Sequence, residues 1–297
     1  MIRFIDSILI PTDGSEGALA GAKRGIALAS RTDAEVHVLS VVESRAGPLD
    51  LDDATLSALE SEAEAAVESI VQAVRDHDEE LAVTTAVTSG TPFQTIREYA
   101  SRHEIDVVAM GTTGRTGLDR VLLGSVTENV LRTARTPVLA VPPNAGDATI
   151  DDAAFERLLL PTDGSGGAEI AVEWGIELAN ALESTVDTLY SVDPGPFSGI
   201  QEPDEIYDAL ERRGEEAIET VRDRARDAGV SVSASITSGS PASVILTYAS
   251  DNDVDLIVMG THGRTGIGQW FLGSVTENVV RQADVPVFCV PVSAETP

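Results

Sequence analysis

Cysteine is all but missing from this chain: Cys289 is the only one in 297 residues. That excludes an internal disulfide and any cysteine-based metal cluster within one chain. Cys289 stands in the apolar run Val287-Phe288-Cys289-Val290, where a thiol is expected to be a buried structural group. Lysine is equally scarce. Lys23 is the sole example, every other fixed cation is an arginine, and 20 basic residues face 49 acidic ones for a formal net charge of −29. This balance argues against a nucleic-acid partner, because a phosphate backbone needs a basic surface. Extreme acidity joined to lysine avoidance resembles proteins that work in molar salt, where the Debye length falls to about 3 Å and self-repulsion is screened. A halophilic source is the expectation. No apolar run approaches the roughly 18 residues of a membrane-spanning helix. The start, Met1-Ile2-Arg3-Phe4-Ile5-Asp6-Ser7-Ile8, shows no charged, apolar, small-residue leader pattern. A cytoplasmic protein with no membrane partner is therefore expected.

What the chain does have is a pattern written twice. Ile8-Leu9-Ile10-Pro11-Thr12-Asp13-Gly14-Ser15 recurs as Leu158-Leu159-Leu160-Pro161-Thr162-Asp163-Gly164-Ser165, and Gly111-Thr112-Thr113-Gly114-Arg115-Thr116-Gly117 returns as Gly260-Thr261-His262-Gly263-Arg264-Thr265-Gly266. Gly124-Ser125-Val126-Thr127-Glu128-Asn129-Val130 likewise returns as Gly273-Ser274-Val275-Thr276-Glu277-Asn278-Val279. A near-constant register across a whole half means duplication of a domain, since solenoid repeats run only about 20–50 residues. Within each half, short β-branched runs alternate with longer helical stretches, the signature of βαβ units and a parallel sheet. The first half predicts strands near 5–11, 35–42, 81–88, 105–110 and 137–141, and helices near 16–31, 52–77, 92–103 and 124–134. Pro142-Pro143-Asn144-Ala145-Gly146-Asp147-Ala148 holds breakers and small residues with little to bury. The expected organisation is a domain over 1–142, a linker over 143–154 and a second domain over 155–297.

In an open parallel sheet, ligands sit beyond the carboxyl ends of the strands, where strand order reverses. Asp13-Gly14-Ser15 follows the first strand and Gly111-Thr112-Thr113-Gly114 the fourth, so both loops line one crevice if those strands are neighbours. Glycines let backbone N–H groups approach an anion, and a helix starting near Ser125 points its positive end at the same place. Hydroxyls of Ser125 and Thr127 are candidates to bond phosphate oxygens or hold a hydrated metal ion. Arg115 and Arg264 stand inside the loops and offer a planar fork to a phosphate, or simply face solvent. His262 replaces Thr113 and reads as a loop donor, while His37, His77 and His103 look scattered rather than clustered. No Walker A sequence, Gly-x-Ser-x-Gly elbow or His-Glu-x-x-His site is present.

The spacing Gly-x2-Gly-x9-Gly-Ser, read at Gly111, Gly114, Gly124-Ser125 and again at Gly260, Gly263, Gly273-Ser274, resembles the ATP-binding signature of universal stress proteins. So do the Pro-Thr-Asp-Gly-Ser openings, Ile105-Asp106-Val107-Val108-Ala109-Met110, and Thr136-Pro137-Val138-Leu139-Ala140-Val141. The resemblance spans the chain apart from the linker and the stretches 44–80 and 194–228. It implies an α/β fold of two tandem, doubly wound, five-stranded parallel sheets of order 3-2-1-4-5, of the adenine-nucleotide alpha-hydrolase-like kind. It also implies one ATP (or ADP or AMP) site per domain; separately, a formal charge of −29 and a cradle made mainly of backbone dipoles point to binding with Mg²⁺. Carried over by position, the first site comprises Pro11, Thr12, Asp13, Val41, Met110, Gly111, Thr112, Gly114, Arg115, Gly124, Ser125, Val126 and Thr127. The second comprises Pro161, Thr162, Asp163, Ser191, Met259, Gly260, Thr261, Gly263, Arg264, Gly273, Ser274, Val275 and Thr276. Asp13 and Asp163 lie near ribose or phosphates, or form an Asx turn, or both. Val41 walls the adenine, and Ser191 in its place implies a looser grip in the second pocket. Pairing of the two domains through their last strands, as an intramolecular pseudo-dimer, is implied as well, with a homo-oligomer left open and protein partners unspecified. Three functions stay in play: a nucleotide-binding stress-response regulator, a slow Mg-dependent ATP hydrolase, and a protein-interaction module without nucleotide.

Overall fold

Continuous runs of Val, Ile and Leu with no polar alternation are what strands buried on both faces require, and the central strands are of this kind. The computed structural model describes residues 4–43, 53–114, 123–146, 149–193, 203–263 and 272–294. It divides into two units, Met1–Ala153 and Ala154–Pro297.

Unit 1 runs β1 (Ser7–Thr12), α1 (Glu16–Thr32), β2 (Glu35–Glu43), α2 (Asp53–His77), β3 (Val83–Gly90), α3 (Pro92–Arg102), β4 (Val107–Gly111), α4 (Ser125–Thr133) and β5 (Val138–Val141). All pairings are parallel, in the order β3-β2-β1-β4-β5. Every residue of β1, β4 and β5 is buried. Strand order reverses between β1 and β4, so the carboxyl ends of these two strands flank a crevice. Helix α1 lies close against that place because its sheet-facing residues are small: a Cβ on Gly21 would come within 2.5 Å of the Gly111 nitrogen.

Unit 2 repeats the plan with β6 (Arg157–Pro161), α5 (Gly166–Leu182), β7 (Thr185–Val192), α6 (Pro203–Asp227), β8 (Val232–Ser238), α7 (Pro241–Asp251), β9 (Leu256–Gly260), α8 (Ser274–Gln282) and β10 (Val287–Val290). Its parallel order is β8-β7-β6-β9-β10. Cys289 is fully buried in β10, and burial pushes its thiol up to about 12.

The stretch after β5 departs from the expectation that it buries little. Pro143–Gly146 forms a 3-10 turn, and Ala145 and Ala153 are buried. Small side chains here are seated against packed structure rather than left in solvent.

Candidate functional site

Each unit builds the crevice from three short pieces. The first is the turn after β1. Asp13 accepts a hydrogen bond on Oδ1 from the Ser15 backbone N–H (3.0 Å) and another from the Ser15 hydroxyl (2.5 Å), while the Gly14 N–H donates to Thr12 Oγ1 (3.2 Å). Gly14 takes φ +77°, a left-handed conformation that a residue without Cβ adopts at little cost. Ser15 then caps α1, its hydroxyl accepting from the Ala18 N–H at 3.2 Å. Asp163, Gly164, Thr162 and Ser165 repeat this turn, with the Ser165 N–H 3.0 Å from Asp163 Oδ1.

The second piece is the loop leaving β4. Thr112 is buried, its N–H donating to the Val141 oxygen (2.8 Å) and its oxygen accepting from the Gly124 N–H (2.7 Å). Thr261 does the same with Val290 (2.9 Å) and Gly273 (2.8 Å). Gly114 stands opposite the aspartate: a Cβ there would lie 3.4 Å from Asp13 Oδ2, and one on Gly263 would lie 3.0 Å from Asp163 Oδ2. The carboxylate thus spends one oxygen on its own turn and turns the other toward the second loop.

The third piece is the start of α4 and of α8. Their N-cap residues, Gly124 and Gly273, bring no side chain to cap the helix, in contrast to Ser15 and Ser165 on α1 and α5. First-turn N–H groups and the positive end of the helix dipole are therefore left to other acceptors. Ser125 and Ser274 are exposed at this end, and Val126 and Val275 half-buried.

Several expected ligand residues carry a structural duty instead. Thr127 and Thr276 are buried, and their hydroxyls donate to the Gly111 and Gly260 oxygens, each at 2.7 Å. They tie the helix to the strand end, which corrects the reading that the Thr127 hydroxyl turns toward a phosphate. The Gly124 N–H is likewise committed to Thr112 and is not offered to an anion. Gly111 must be glycine for packing: a Cβ would fall 2.0 Å from the Gly17 oxygen, and one on Gly17 would fall 1.9 Å from the Thr113 oxygen. Gly17 and its repeat Gly167 were not singled out by motif. Their recurrence at matched positions beside the aspartate turn is the signal that marks them.

Pro11 is the penultimate residue of β1 and Pro161 the last of β6, and Met110 and Met259 are buried in β4 and β9. Val41 is half-buried near the end of β2 in register with Thr88, whereas Ser191, in register with Thr237, donates its hydroxyl to the Gly239 oxygen at 2.8 Å. Arg115 and Arg264 lie outside the described residues. His262 places Nδ1 2.9 Å from Thr261 Oγ1.

The histidines are not all scattered, as the sequence suggested. His37 and His103 stand 5.7 Å apart by ring centroid. Tyr99 stacks on His103 at 4.1 Å and sets its hydroxyl 3.0 Å from His37 Nδ1. The group sits at the amino end of the sheet, away from the crevice, since His37 is the third residue of β2. Burial, opposed by the Glu35 carboxylate, holds His37 below the ordinary imidazole value. His77 instead meets Asp151 at 2.9 Å.

Comparison with known proteins agrees with this architecture. The model of the universal stress protein family matches residues 5–142 and again 154–291. A universal stress protein of Mycolicibacterium smegmatis is 30% identical over 95% of this chain and 96% of its own. One from Mycobacterium tuberculosis is 32% identical over 71% of this chain and 69% of its own. One from Methanocaldococcus jannaschii is 35% identical over 46% of this chain and 82% of its own. Among solved structures, a universal stress protein from Archaeoglobus fulgidus shares the fold with a TM-score of 0.71, at 23% identity and 96% coverage of both chains.

Proposed function

Because the chain belongs to the universal stress protein family through both of its halves, we propose that it is an adenine-nucleotide-binding stress-response regulator with one site per unit. The observation that carries this reading is a helix start with no side-chain cap, set beside the loop whose glycine approaches the aspartate of the first turn, and built twice. First-turn N–H groups at α4 and α8, which no N-cap side chain covers, suit a phosphate. Asp13 Oδ2 and Asp163 Oδ2, on the other lip, suit a ribose hydroxyl or a hydrated cation.

ATP is the nucleotide proposed, with Mg²⁺ bound through its phosphates. Among the described residues no three of His, Cys, Asp and Glu stand together to hold a metal. A cation that keeps most of its waters and bridges phosphate oxygens fits such a site better than a protein-caged ion. The chain's own contribution is to bind and orient: Asp13 and Ser15 hold the turn, Thr127 holds the loop, and α4 receives the anion. Among the described residues no helix is long and apolar enough to cross a membrane, and the proposed setting is the cytoplasm.

The test is to purify the protein in high salt, denature it and chromatograph what is released. With both helix starts in use, about two equivalents of adenine nucleotide per chain are expected from freshly isolated or ATP-loaded protein. Failure to retain nucleotide, together with no calorimetric binding of ATP up to millimolar concentration, overturns the reading.

A further inference from the structure

Charged residues are spread so densely along this chain that a long neutral stretch stands out, and the longest falls on a sheet edge. No Asp, Glu, Lys, Arg or His occurs from Ala228 to Ser250. That run contains the whole of β8 and all of α7 except its last residue. Among the described residues β8 pairs with β7 alone, so one side of its backbone is open. The Val186 N–H donates to the Ser231 oxygen (3.0 Å) and the Gly239 N–H to the Val192 oxygen (2.9 Å). A strand turns its backbone groups to alternate sides at successive residues. Ser233, Ser235 and Thr237 therefore spend theirs on β7, while Val232, Ala234, Ile236 and Ser238 point theirs outward.

Open edges are commonly shielded by lysine, proline or an inward-pointing charge, and β8 carries none of these. Ser233, Ile236, Thr237 and Ser238 are exposed, Ile236 at 38%. On the sheet face where Asp187 hydrogen-bonds Tyr248 of α7, that helix adds exposed Ser243, Thr247 and Ser250, with Asp251 its only charge. On the other face, where Tyr190 and Val192 pack with Ile218, α6 mixes its acids with Arg212, Arg213, Arg222, Arg224 and Arg226. The matching edge of unit 1 is not neutral. Glu35, which opens β2 where Thr185 opens β7, accepts from the Thr84 hydroxyl of β3 at 2.5 Å, and α3 carries Arg97, Glu98 and Arg102.

We infer that β8 is a dimerisation edge: two copies of the chain join their sheets by antiparallel pairing of β8 with β8 about a two-fold axis. A strand laid antiparallel on its own copy is self-complementary, as a two-fold contact requires. The register that uses every outward residue sets Val232 of one copy opposite Ser238 of the other, and Ala234 opposite Ile236, each pair exchanging both of its bonds. Charge selects a second copy as the occupant. At −29 two copies repel one another over most of their surface, and a neutral edge lets them close to bonding distance. A basic partner is drawn instead to acidic surfaces such as α2, where Glu60, Glu64 and Glu68 are exposed. The contact does not depend on the nucleotide reading.

The experiment is sedimentation equilibrium of the full chain at about 0.1 M and about 1 M monovalent salt, where the Debye length is about 10 and 3 Å. The parent is expected to dimerise, and more tightly at the higher salt. Ile236→Lys and Ser238→Lys are each expected to weaken the dimer about tenfold at the lower salt, because the two-fold axis counts every cross-strand change twice. Both positions are exposed, circular dichroism checks the fold of each variant, and either one suffices if the other misfolds. Leu56→Lys, the same change in charge at an exposed apolar position of α2, is expected to leave the dimer as it is. A parent that stays monomeric at about 0.1 mM in the higher salt overturns the inference. So does a dimer that neither lysine on β8 weakens, or that Leu56→Lys weakens equally. A dimer that Val87→Lys on β3 weakens as much puts the other edge in the contact, and one that loosens as salt rises is held by ion pairs; either result overturns the inference too.

Discussion

Two glycines of one sequence signature have opposite duties. Gly111 faces the backbone of α1, where a Cβ would meet the Gly17 oxygen at 2.0 Å. Gly124 opens α4, and its Cβ would meet the Thr112 oxygen at 3.2 Å, a far looser approach. Gly111→Ala is therefore expected to cost about 3 kcal/mol or more of stability, as overpacking against rigid backbone does, seen as an earlier urea midpoint. Gly124→Val is expected to keep a near-parental midpoint and to weaken nucleotide binding at its own site about tenfold, or roughly 1.4 kcal/mol. Circular dichroism melts and calorimetry on the same samples separate the two. A Gly124→Val protein that binds as the parent does would remove α4 from the site.

At the scale of elements, α3 is fastened to the sheet by the His37–Tyr99 contact, and that fastening depends on pH. Burial lowers the folded-state value of His37 from about 6.5, so the unfolded chain takes up the proton first as pH falls. The stabilising contribution is complete above the unfolded value and is lost as pH drops from about 6.5 toward the lower folded value. Melts between pH 7.5 and 5 should show a steeper loss for the parent than for His37→Gln, which keeps a hydrogen-bonding side chain without titrating there. Equal slopes would contradict this. Much of the element plan was legible in the sequence. The predicted strands and helices match the observed ones to within about two residues at most ends, because strands buried on both faces announce themselves as unbroken apolar runs. The aspartate turn and the uncapped helix were legible because they recur. What was not legible depends on distant partners: the packing duty of Gly111 comes from Gly17, and His37, Tyr99 and His103 meet only once α3 has docked beside β2. The buried hydroxyls of Thr127 and Thr276 belong to the same class, since nothing in a motif tells which way a side chain turns.

For the molecule as a whole, a formal charge of −29 opposes both compaction and the approach of a polyphosphate at low ionic strength. Folding stability and ATP affinity, measured at fixed free Mg²⁺, are both expected to rise as monovalent salt goes from about 0.01 M to 1 M and the Debye length shrinks from about 30 to 3 Å. Affinity that falls steadily while circular dichroism shows the fold intact would mean that local cations at the site outweigh the global field. A different consequence follows from the hydrogen bonds joining Gly124 to Thr112 and Gly273 to Thr261. Each closes a span of chain by its two ends, independently of what lies between. The intervening sequences already diverge, Leu118-Asp119-Arg120-Val121-Leu122 in one half and Ile267-Gly268-Gln269-Trp270-Phe271 in the other. Because each clasp joins backbone atoms, its bond does not depend on which side chains the span carries. The two halves carry different residues there and keep the same clasp.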